Sequence, residues 1–201
     1  MTVVQVGGLL VVLLVCPCLG GLPLIDWITY ALTGKQLEKL GTGNVSVSAA
    51  FYHGGRWVGV LAVVSEASKG IAAVLLSRAF FPDNSVWELI ALIALVMGRY
   101  WMGKGAGTTN VFWGIVVHDA IAAVLIFLIG GISFTIFRER KTGRVSILVL
   151  LASILALRHP QETEYITVAI ALSGLLFWIY QKIPDDLDLS PQEGNKDSQK
   201  M

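Results

Sequence analysis

Two short glycine-rich stretches carry the residues best suited to binding an oxyanion such as phosphate. In residues 41–48, glycines let successive backbone N–H groups point at one anion, and Thr, Asn and Ser side chains add donors. In residues 102–109, a lysine lies between two glycines where a helix is expected to begin, so an ammonium, exposed N–H groups and the helix dipole would act together. The candidate phosphate ligands are Gly41, Thr42, Gly43, Asn44, Ser48, Gly103, Lys104, Gly105 and Thr108.

Both stretches also have a simpler interpretation. The first has the composition of an ordinary turn, since Gly, Ser and Asn are common turn residues. The second has the composition of a flexible hinge whose lysine extends its ammonium to the membrane interface. It lacks the residue order of a nucleotide-binding P-loop, so that kind of phosphate site is not predicted.

A charged pair interrupts an otherwise apolar run. Glu66 and Lys69 lie on one face of the expected helix, at positions i and i+3. A charge at bilayer depth is costly, so the two side chains are expected to pair and to face the bundle interior or a wet cavity, in a functional or a purely structural role. Lys69→Met should therefore destabilise the fold more than the double change Glu66→Gln with Lys69→Met, because the single change strands a buried carboxylate.

The remaining side chains assemble no nucleophilic or metal centre. His53, His118 and His159 are scattered along the chain, and no Ser/His/Asp set or metal-ligand spacing can be formed from them. A reaction at the glycine-rich loops must therefore use a substrate that is already activated. The sequence predicts no metal and no cofactor, and it does not identify a general base.

The composition predicts the elements that must position these residues. Of 201 residues, 55% are hydrophobic and 14% charged, with a mean hydropathy of +0.70, which excludes an ordinary soluble domain. The net charge of +1 gives no indication of a nucleic-acid partner. We therefore predict an all-α, polytopic transmembrane helix bundle. Its apolar runs cover about 3–32, 56–80, 86–102, 106–117, 120–137, 145–157 and 165–181.

The distribution of Lys and Arg predicts the orientation of about seven spans. With the N-terminus outside, twelve of the 15 basic residues fall on one side and only Arg78 and Arg158 on the other, so the first side is expected to be cytoplasmic. His118 and Asp119 then form an outside turn. Residues 1–183 make up the transmembrane domain, and the polar, acidic residues 184–201 are expected to be a disordered cytoplasmic tail. Gly20-Gly21 and Gly130-Gly131 are expected to allow close helix approach.

The motifs resemble those of the PlsY family, the acyl-phosphate-dependent glycerol-3-phosphate acyltransferases of bacterial membranes. That family reads Gly-Ser-Gly-Asn-x-Gly-Ala-Thr-Asn, then Gly-Gly, then Asp-x-x-Lys-Gly. At the same spacing this chain has Gly41-Thr42-Gly43-Asn44, Ser48, Gly54-Gly55 and Glu66-Ala67-Ser68-Lys69-Gly70. The seven-span layout, and Arg144-Val145-Ser146 at the start of the sixth span, are also similar to the family.

The chain departs from the family pattern at several positions. Residues 98–108 correspond to a second family loop, which reads Gly-His-x-x-Pro through Lys-Gly-Gly-Lys-Gly-Val-Ala-Thr. The loop in this chain is shorter than the family loop and has Arg99 in place of His. Tyr52 stands where the family has Arg. The third motif, His-Arg-Glu-Asn-Ile, is absent from residues 180–184. The predicted topology puts His159 outside, so the third motif is not assigned to it.

The resemblance implies transfer of a fatty acyl group from acyl phosphate to glycerol 3-phosphate, giving lysophosphatidic acid for phospholipid synthesis. It implies that the first stretch holds one phosphate and the second the acyl phosphate, with Glu66, Lys69 and Arg99 in support, Arg99 replacing a lost positive charge. The expected partners are these substrates and membrane lipids, and the expected location is the bacterial inner membrane or an internal membrane.

One other function remains open, and a third is disfavoured by the sequence. A diverged relative without activity would serve as a lipid-binding or assembly subunit, which the missing third motif and Tyr52 favour. A small transporter would need two related halves with interrupted helices, and the sequence contains no such repeat.

Overall fold

The computed structural model describes residues 3–136 and 140–183, which form an all-helical bundle. The predicted fold class is confirmed, and the predicted tail, 184–201, lies outside the described residues. A π-helical turn, Val11–Val15, joins the first two helices, and a 3-10 turn, Leu37–Lys39, precedes the first glycine-rich stretch. The helices are α1 (Val3–Leu10), α2 (Cys16–Gly21), α3 (Leu24–Thr33), α4 (Val47–Gly54), α5 (Arg56–Phe80), α6 (Val86–Trp101), α7 (Thr108–His118), α8 (Ala120–Ile136), α9 (Arg140–Arg158) and α10 (Thr163–Lys182).

Each of the seven predicted apolar runs overlaps a helix, but the first run contains a break. Leu22 leaves the helical region, with φ −59° and ψ 120°, because the ring of Pro23 disfavours a helical residue before it. Within the described ranges, three helical segments are long and apolar enough to cross a membrane: Gln5–Thr33, Arg56–Phe80 and Thr163–Lys182. The membrane character is confirmed, whereas the number of spans stays a prediction.

The long helix α5 lies at the centre of the bundle and packs against α3, α4, α6 and α7, while α2 crosses α6. The α2–α6 crossing depends on glycine. A Cβ atom at Gly98 would overlap the carbonyl of Pro17, and one at Gly20 would overlap the carbonyl of Leu95. The close approach predicted at Gly20 is therefore present. At the second pair, a Cβ at Gly130 would lie 2.8 Å from the side chain of Ile147, whereas one at Gly131 would meet no atom within 4 Å.

Gly98→Ala is expected to destabilise the protein by about 1 to 3 kcal/mol, because the new methyl group forces the backbones of α2 and α6 apart. Gly174→Ala is the matched control, since it adds the same methyl group to a helix at a position with no atom within 4 Å. Thermal unfolding in detergent measures both. Equal melting temperatures for the two variants would show that α2 and α6 can move apart at their crossing without loss of stability.

Charged residues gather at both ends of the bundle. Near the C-terminal end of α5, the guanidinium of Arg78 donates to Glu88 at 2.8 and 2.9 Å. At the same end, Arg158 donates to Asp119 at 2.8 Å, which brings the turn after α7 next to the end of α9. Arg78, Arg158 and Asp119 are residues that the sequence predicts to be on the external side. The glycine-rich stretches lie at the opposite end, where α5 begins at Arg56.

The side of the membrane that each end faces stays a prediction, which two reporter fusions test. A reporter inserted after Lys141 is expected to read cytoplasmic, and one inserted at Glu162 is expected to read external, because the seven-span topology has α9 cross the bilayer between them. The same reading from both fusions would contradict the seven-span topology.

Candidate functional site

A cavity of about 610 Å³ opens at the end of the bundle that carries the glycine-rich stretches. It lies between the N-terminus of α4, the start of α7 and the facing ends of α9 and α10, with α5 and α6 behind it. Its walls therefore combine residues from the first stretch, the second stretch and the C-terminal helices. The polar side chains that line it are Asn44, Ser46, Ser48, Tyr52, Glu66, Arg99, Thr108, Thr109, Arg144 and Tyr180.

The N-terminus of α4 forms one wall of the cavity. Ser46 is extended, with φ −120° and ψ 164°, and its hydroxyl caps the helix by accepting from the N–H of Ala49 at 3.1 Å. The hydroxyls of Ser46 and Ser48 lie 2.9 Å apart. Hydroxyls and the first N–H groups of a helix favour an anion. The glycine-rich composition predicts a loop for these residues, although Ser46 is a typical N-cap residue.

Two of the five predicted ligands in the first stretch line the cavity, namely Asn44 and Ser48. Gly41, Thr42 and Gly43 instead build the turn that precedes them. Gly41 has φ 53° and Gly43 has φ 72°, a left-handed backbone that glycine adopts without strain, and the Thr42 hydroxyl accepts from the N–H of Asn44 at 3.3 Å. These three residues therefore shape the turn. The phosphate-binding role of the five predicted ligands stays a prediction.

A buried cluster of three charges lies behind the cavity. The predicted pair is present, because the Lys69 ammonium donates to Glu66 Oε1 at 2.7 Å. It also donates to the Leu22 carbonyl at 2.7 Å, at the break between α2 and α3. The second oxygen of the carboxylate, Oε2, lies 2.9 Å from Nε of Arg99, and all three charged side chains are 3% exposed or less. With its amide nitrogen facing this carboxylate, Asn110 donates to the same Oε2 at 2.7 Å.

Arg99 fastens the two glycine-rich stretches to the bundle. Besides its contact with Glu66, the guanidinium donates to the carbonyls of Val45 and Gly103. The glycines of the second stretch leave room for it, since a Cβ at Gly105 would lie 2.8 Å from the central carbon of the guanidinium. Gly103 and Gly105 therefore pack around Arg99, which the sequence analysis placed in a supporting role.

Lys104 lies outside the lining of the cavity. Its ammonium is 2.6 Å from Glu38 Oε2, and its side chain is 59% exposed. The hydrogen bond from Lys104 lowers the pKa of the Glu38 carboxyl below its usual value. The second stretch contains the start of α7, as expected: the helix begins at Thr108, with Gly107 as its N-cap, so Lys104 lies four residues before the first helical residue. Thr108 and Thr109 face the cavity from that helix start.

A second, apolar cavity of about 270 Å³ adjoins the first, between α7, α8, α9 and α10. Both cavities are lined by Thr108, Arg144 and Tyr180, so polar and apolar space meet at these residues. The guanidinium of Arg144 lies over the Tyr180 ring, 5.3 Å from its centre. From sequence, Arg144 is part of the family resemblance but is not among the predicted site residues. Only the packing of α9 against α10 reveals its position.

Two of the histidines lie far from this cavity. His118 lies at the opposite end, where one ring nitrogen is 2.8 Å from Glu88 and the other is 2.6 Å from the hydroxyl of Tyr165. His159 is at that end as well, 3.0 Å from Glu162, which agrees with leaving it out of the site. Glu66 lines the cavity, and cationic side chains contact both of its carboxylate oxygens.

Comparisons with known proteins place the chain in a family. The family model described as "Glycerol-3-phosphate acyltransferase" matches residues 10–186. Relatives with the same name include proteins of Gluconobacter oxydans (strain 621H), 27% identical with 85% of this chain and 84% of the relative covered, and of Wolbachia sp. subsp. Brugia malayi (strain TRS), 27% identical with 82% and 87% covered.

The fold has a counterpart among solved structures. The crystal structure of PlsY (YgiH), "an integral membrane glycerol 3-phosphate acyltransferase", in its glycerol 3-phosphate form superposes with a TM-score of 0.74 at 21% identity, covering 88% of this chain and 89% of that one. The lysophosphatidic acid form gives 0.72 at 19% identity over the same shares. The resemblance of the glycine-rich motifs is thereby confirmed, and the chain belongs to the glycerol-3-phosphate acyltransferase family, with the membrane fold of PlsY.

Proposed function

We propose that this protein transfers a fatty acyl group from acyl phosphate to the 1-hydroxyl of glycerol 3-phosphate, forming lysophosphatidic acid. The observation that carries the proposal is the junction of a polar and an apolar cavity at Arg144. An acyl phosphate has a polar phosphate end and an apolar acyl chain. Its chain fits the apolar cavity, its phosphate fits beside Arg144 and Thr108, and its carbonyl carbon then lies where the two spaces meet.

The remainder of the polar cavity suits glycerol 3-phosphate. The start of α4 provides the hydroxyls of Ser46 and Ser48 together with the first N–H groups of the helix, which favour a phosphate. We assign the glycerol phosphate to this wall and the acyl phosphate to the wall formed by α7 and α9. The two phosphates then occupy different walls of one space, and the glycerol hydroxyl lies between them.

The chemistry fits the residues present. The glycerol hydroxyl oxygen attacks the acyl carbon, the bond from that carbon to the phosphate oxygen breaks, and the hydroxyl proton leaves to an acceptor that we do not assign. Phosphate is a good leaving group, so no covalent enzyme nucleophile is required. Holding the reactants at contact distance and stabilising the developing oxyanion supply the rate. The location that suits this activity is the cytoplasmic face of a bacterial inner membrane.

A non-catalytic, lipid-binding relative is the competing proposal. It is favoured by Arg99, which stands at the position of the family's His and whose guanidinium is engaged by Glu66 and by the carbonyls of Val45 and Gly103. Such a protein would use the same cavities to hold a lipid without turnover. Binding alone therefore does not distinguish the two proposals, but turnover does.

The test is acyl transfer by the purified protein, with labelled glycerol 3-phosphate and palmitoyl phosphate. The proposal expects labelled lysophosphatidic acid and an equal amount of released inorganic phosphate. Palmitoyl-CoA is the donor control and is expected to give much less product, because the site is built around a phosphate leaving group. Absence of product from protein that still binds both substrates would favour the lipid-binding alternative.

A further inference from the structure

The ion pair between Glu38 and Lys104 lies next to the wall of the polar cavity. The N–H of Val45, a residue that lines the cavity, donates to the carbonyl of Lys104 at 3.0 Å, so the backbone of Lys104 lies directly behind a lining residue. Its side chain nevertheless turns outward, with the ammonium 2.6 Å from Glu38 Oε2. A cation next to a phosphate cavity is thus held outside it by a carboxylate.

The backbone of Lys104 is fixed, whereas its side chain can turn. Among the described residues, Lys104 alone of the non-glycines has a positive φ, 53°, and this strained conformation persists because the neighbouring backbone is anchored. The anchors are the hydrogen bond from Val45 and the contact of the Gly103 carbonyl with Arg99. A lysine stem with rotatable bonds can carry the ammonium to another acceptor while the backbone stays in place.

The pair itself is easily broken. Its two side chains are 59% and 41% exposed, and ion pairs in such positions contribute little because water and salt screen them. A phosphate monoester at pH 7 carries about −1.5 to −2 charges and three acceptor oxygens, against a single charge on a carboxylate. It therefore attracts the ammonium more strongly than Glu38 does.

We infer that Glu38 is a competing internal counter-ion, which holds Lys104 outside the empty cavity and must be displaced by the phosphate of the incoming substrate. Glu38 thereby sets the affinity for phosphate and discriminates against ligands with a single negative charge. The inference rests on the proposed function, because it takes the cavity to be a phosphate site. Glu38 acts through Lys104 and is a positioning residue.

The test measures KM for glycerol 3-phosphate in the transfer assay. Glu38→Gln is expected to lower KM about two- to fivefold, the range that exposed ion pairs span, and to leave kcat unchanged. In a Lys104→Gln background the same change is expected to have no effect on KM, since no ammonium is left for Glu38 and the phosphate to compete for. Glu164→Gln is the charge-matched control, because this exposed carboxylate lies at the other end of the bundle.

Salt gives a readout that a structural role would not move. The KM ratio of wild type to Glu38→Gln should approach one as ionic strength rises, because salt weakens the exposed pair. Equal KM values at low salt, a higher KM for Glu38→Gln, or a decrease that persists in the Lys104→Gln background would each overturn the inference.

Binding of inorganic phosphate, measured by calorimetry, separates this inference from the proposed function. If wild type forms no lysophosphatidic acid but Glu38→Gln binds phosphate more tightly than wild type, the counter-ion role stands and the transfer reaction does not. If wild type forms product and the two proteins bind phosphate equally, the transfer reaction stands and the counter-ion role is excluded.

Discussion

Glu66→Gln is expected to destabilise the protein by about 3 to 5 kcal/mol, the cost of breaking a buried ion pair. Glu66 is the anion that Lys69 and Arg99 share, and all three side chains are almost fully buried. Its loss leaves two buried cations facing each other across a neutral amide. The change should also loosen both glycine-rich stretches, because Arg99 fastens them.

The third charge reverses the order of effects expected from sequence. A pair that stood alone would make Lys69→Met the damaging change, because the carboxylate would be stranded. In the structure, Glu66 keeps Arg99 after Lys69→Met, so that variant retains a neutral buried pair. We therefore expect Lys69→Met to be milder than Glu66→Gln, and milder than the double variant, which leaves Arg99 unpaired. Adding Lys69→Met to Glu66→Gln should restore part of the lost stability, because it removes one of two unpaired cations.

Thermal unfolding in detergent measures the three variants, with Glu164→Gln as the control for a carboxylate-to-amide change at an exposed position. Equal melting temperatures for Glu66→Gln and Lys69→Met would mean that Arg99 does not share the carboxylate. A double variant less stable than Glu66→Gln would mean that Lys69 stabilises the fold through the Leu22 carbonyl rather than through Glu66.

Arg144→Ala is expected to lower acyl transfer about ten- to a hundredfold. Arg144 lies where the polar and apolar cavities meet, at the position we assign to the acyl phosphate. A charge-assisted hydrogen bond to phosphate contributes about 1.5 to 3 kcal/mol, and each 1.4 kcal/mol is a factor of ten. Arg144→Lys should recover only part of the rate, because an ammonium cannot make the paired contacts of a guanidinium.

The control for Arg144 is Arg56→Ala, which removes the same charge at the same end of the bundle from an exposed residue outside the cavity lining. It should leave the rate close to that of wild type. If Arg144→Ala transfers acyl groups as fast as Arg56→Ala, the acyl phosphate does not bind at the junction of the cavities. A loss of rate in both variants would point to a general effect of charge.

The features that could be predicted from sequence are those that depend on neighbouring residues. Apolar runs predict helices because hydropathy is a local property, and Glu66 and Lys69 pair because three residues of helix bring them together. The position of Arg99 on the same carboxylate could not be predicted, since it depends on how α6 packs against α5. The contact between Glu38 and Lys104 likewise joins two loops that are distant in sequence.

The candidate site could be predicted only in part for the same reason. The glycine-rich stretches indicated where an anion could bind, and Asn44, Ser48 and Thr108 do line the cavity. The motifs did not reveal that Gly103 and Gly105 make room for a guanidinium, because only the fold brings Arg99 against them. The apolar cavity depends on four helices at once, and no single segment of the sequence contains a signal for it.

The central claim is that one connected space receives both substrates, so that the acyl group passes directly from phosphate to glycerol. Initial velocities measured while the concentrations of palmitoyl phosphate and glycerol 3-phosphate are both varied test this claim most directly. Direct transfer predicts double-reciprocal lines that intersect. Parallel lines, the kinetic signature of an acyl-enzyme intermediate, or the absence of lysophosphatidic acid at every substrate concentration would contradict it.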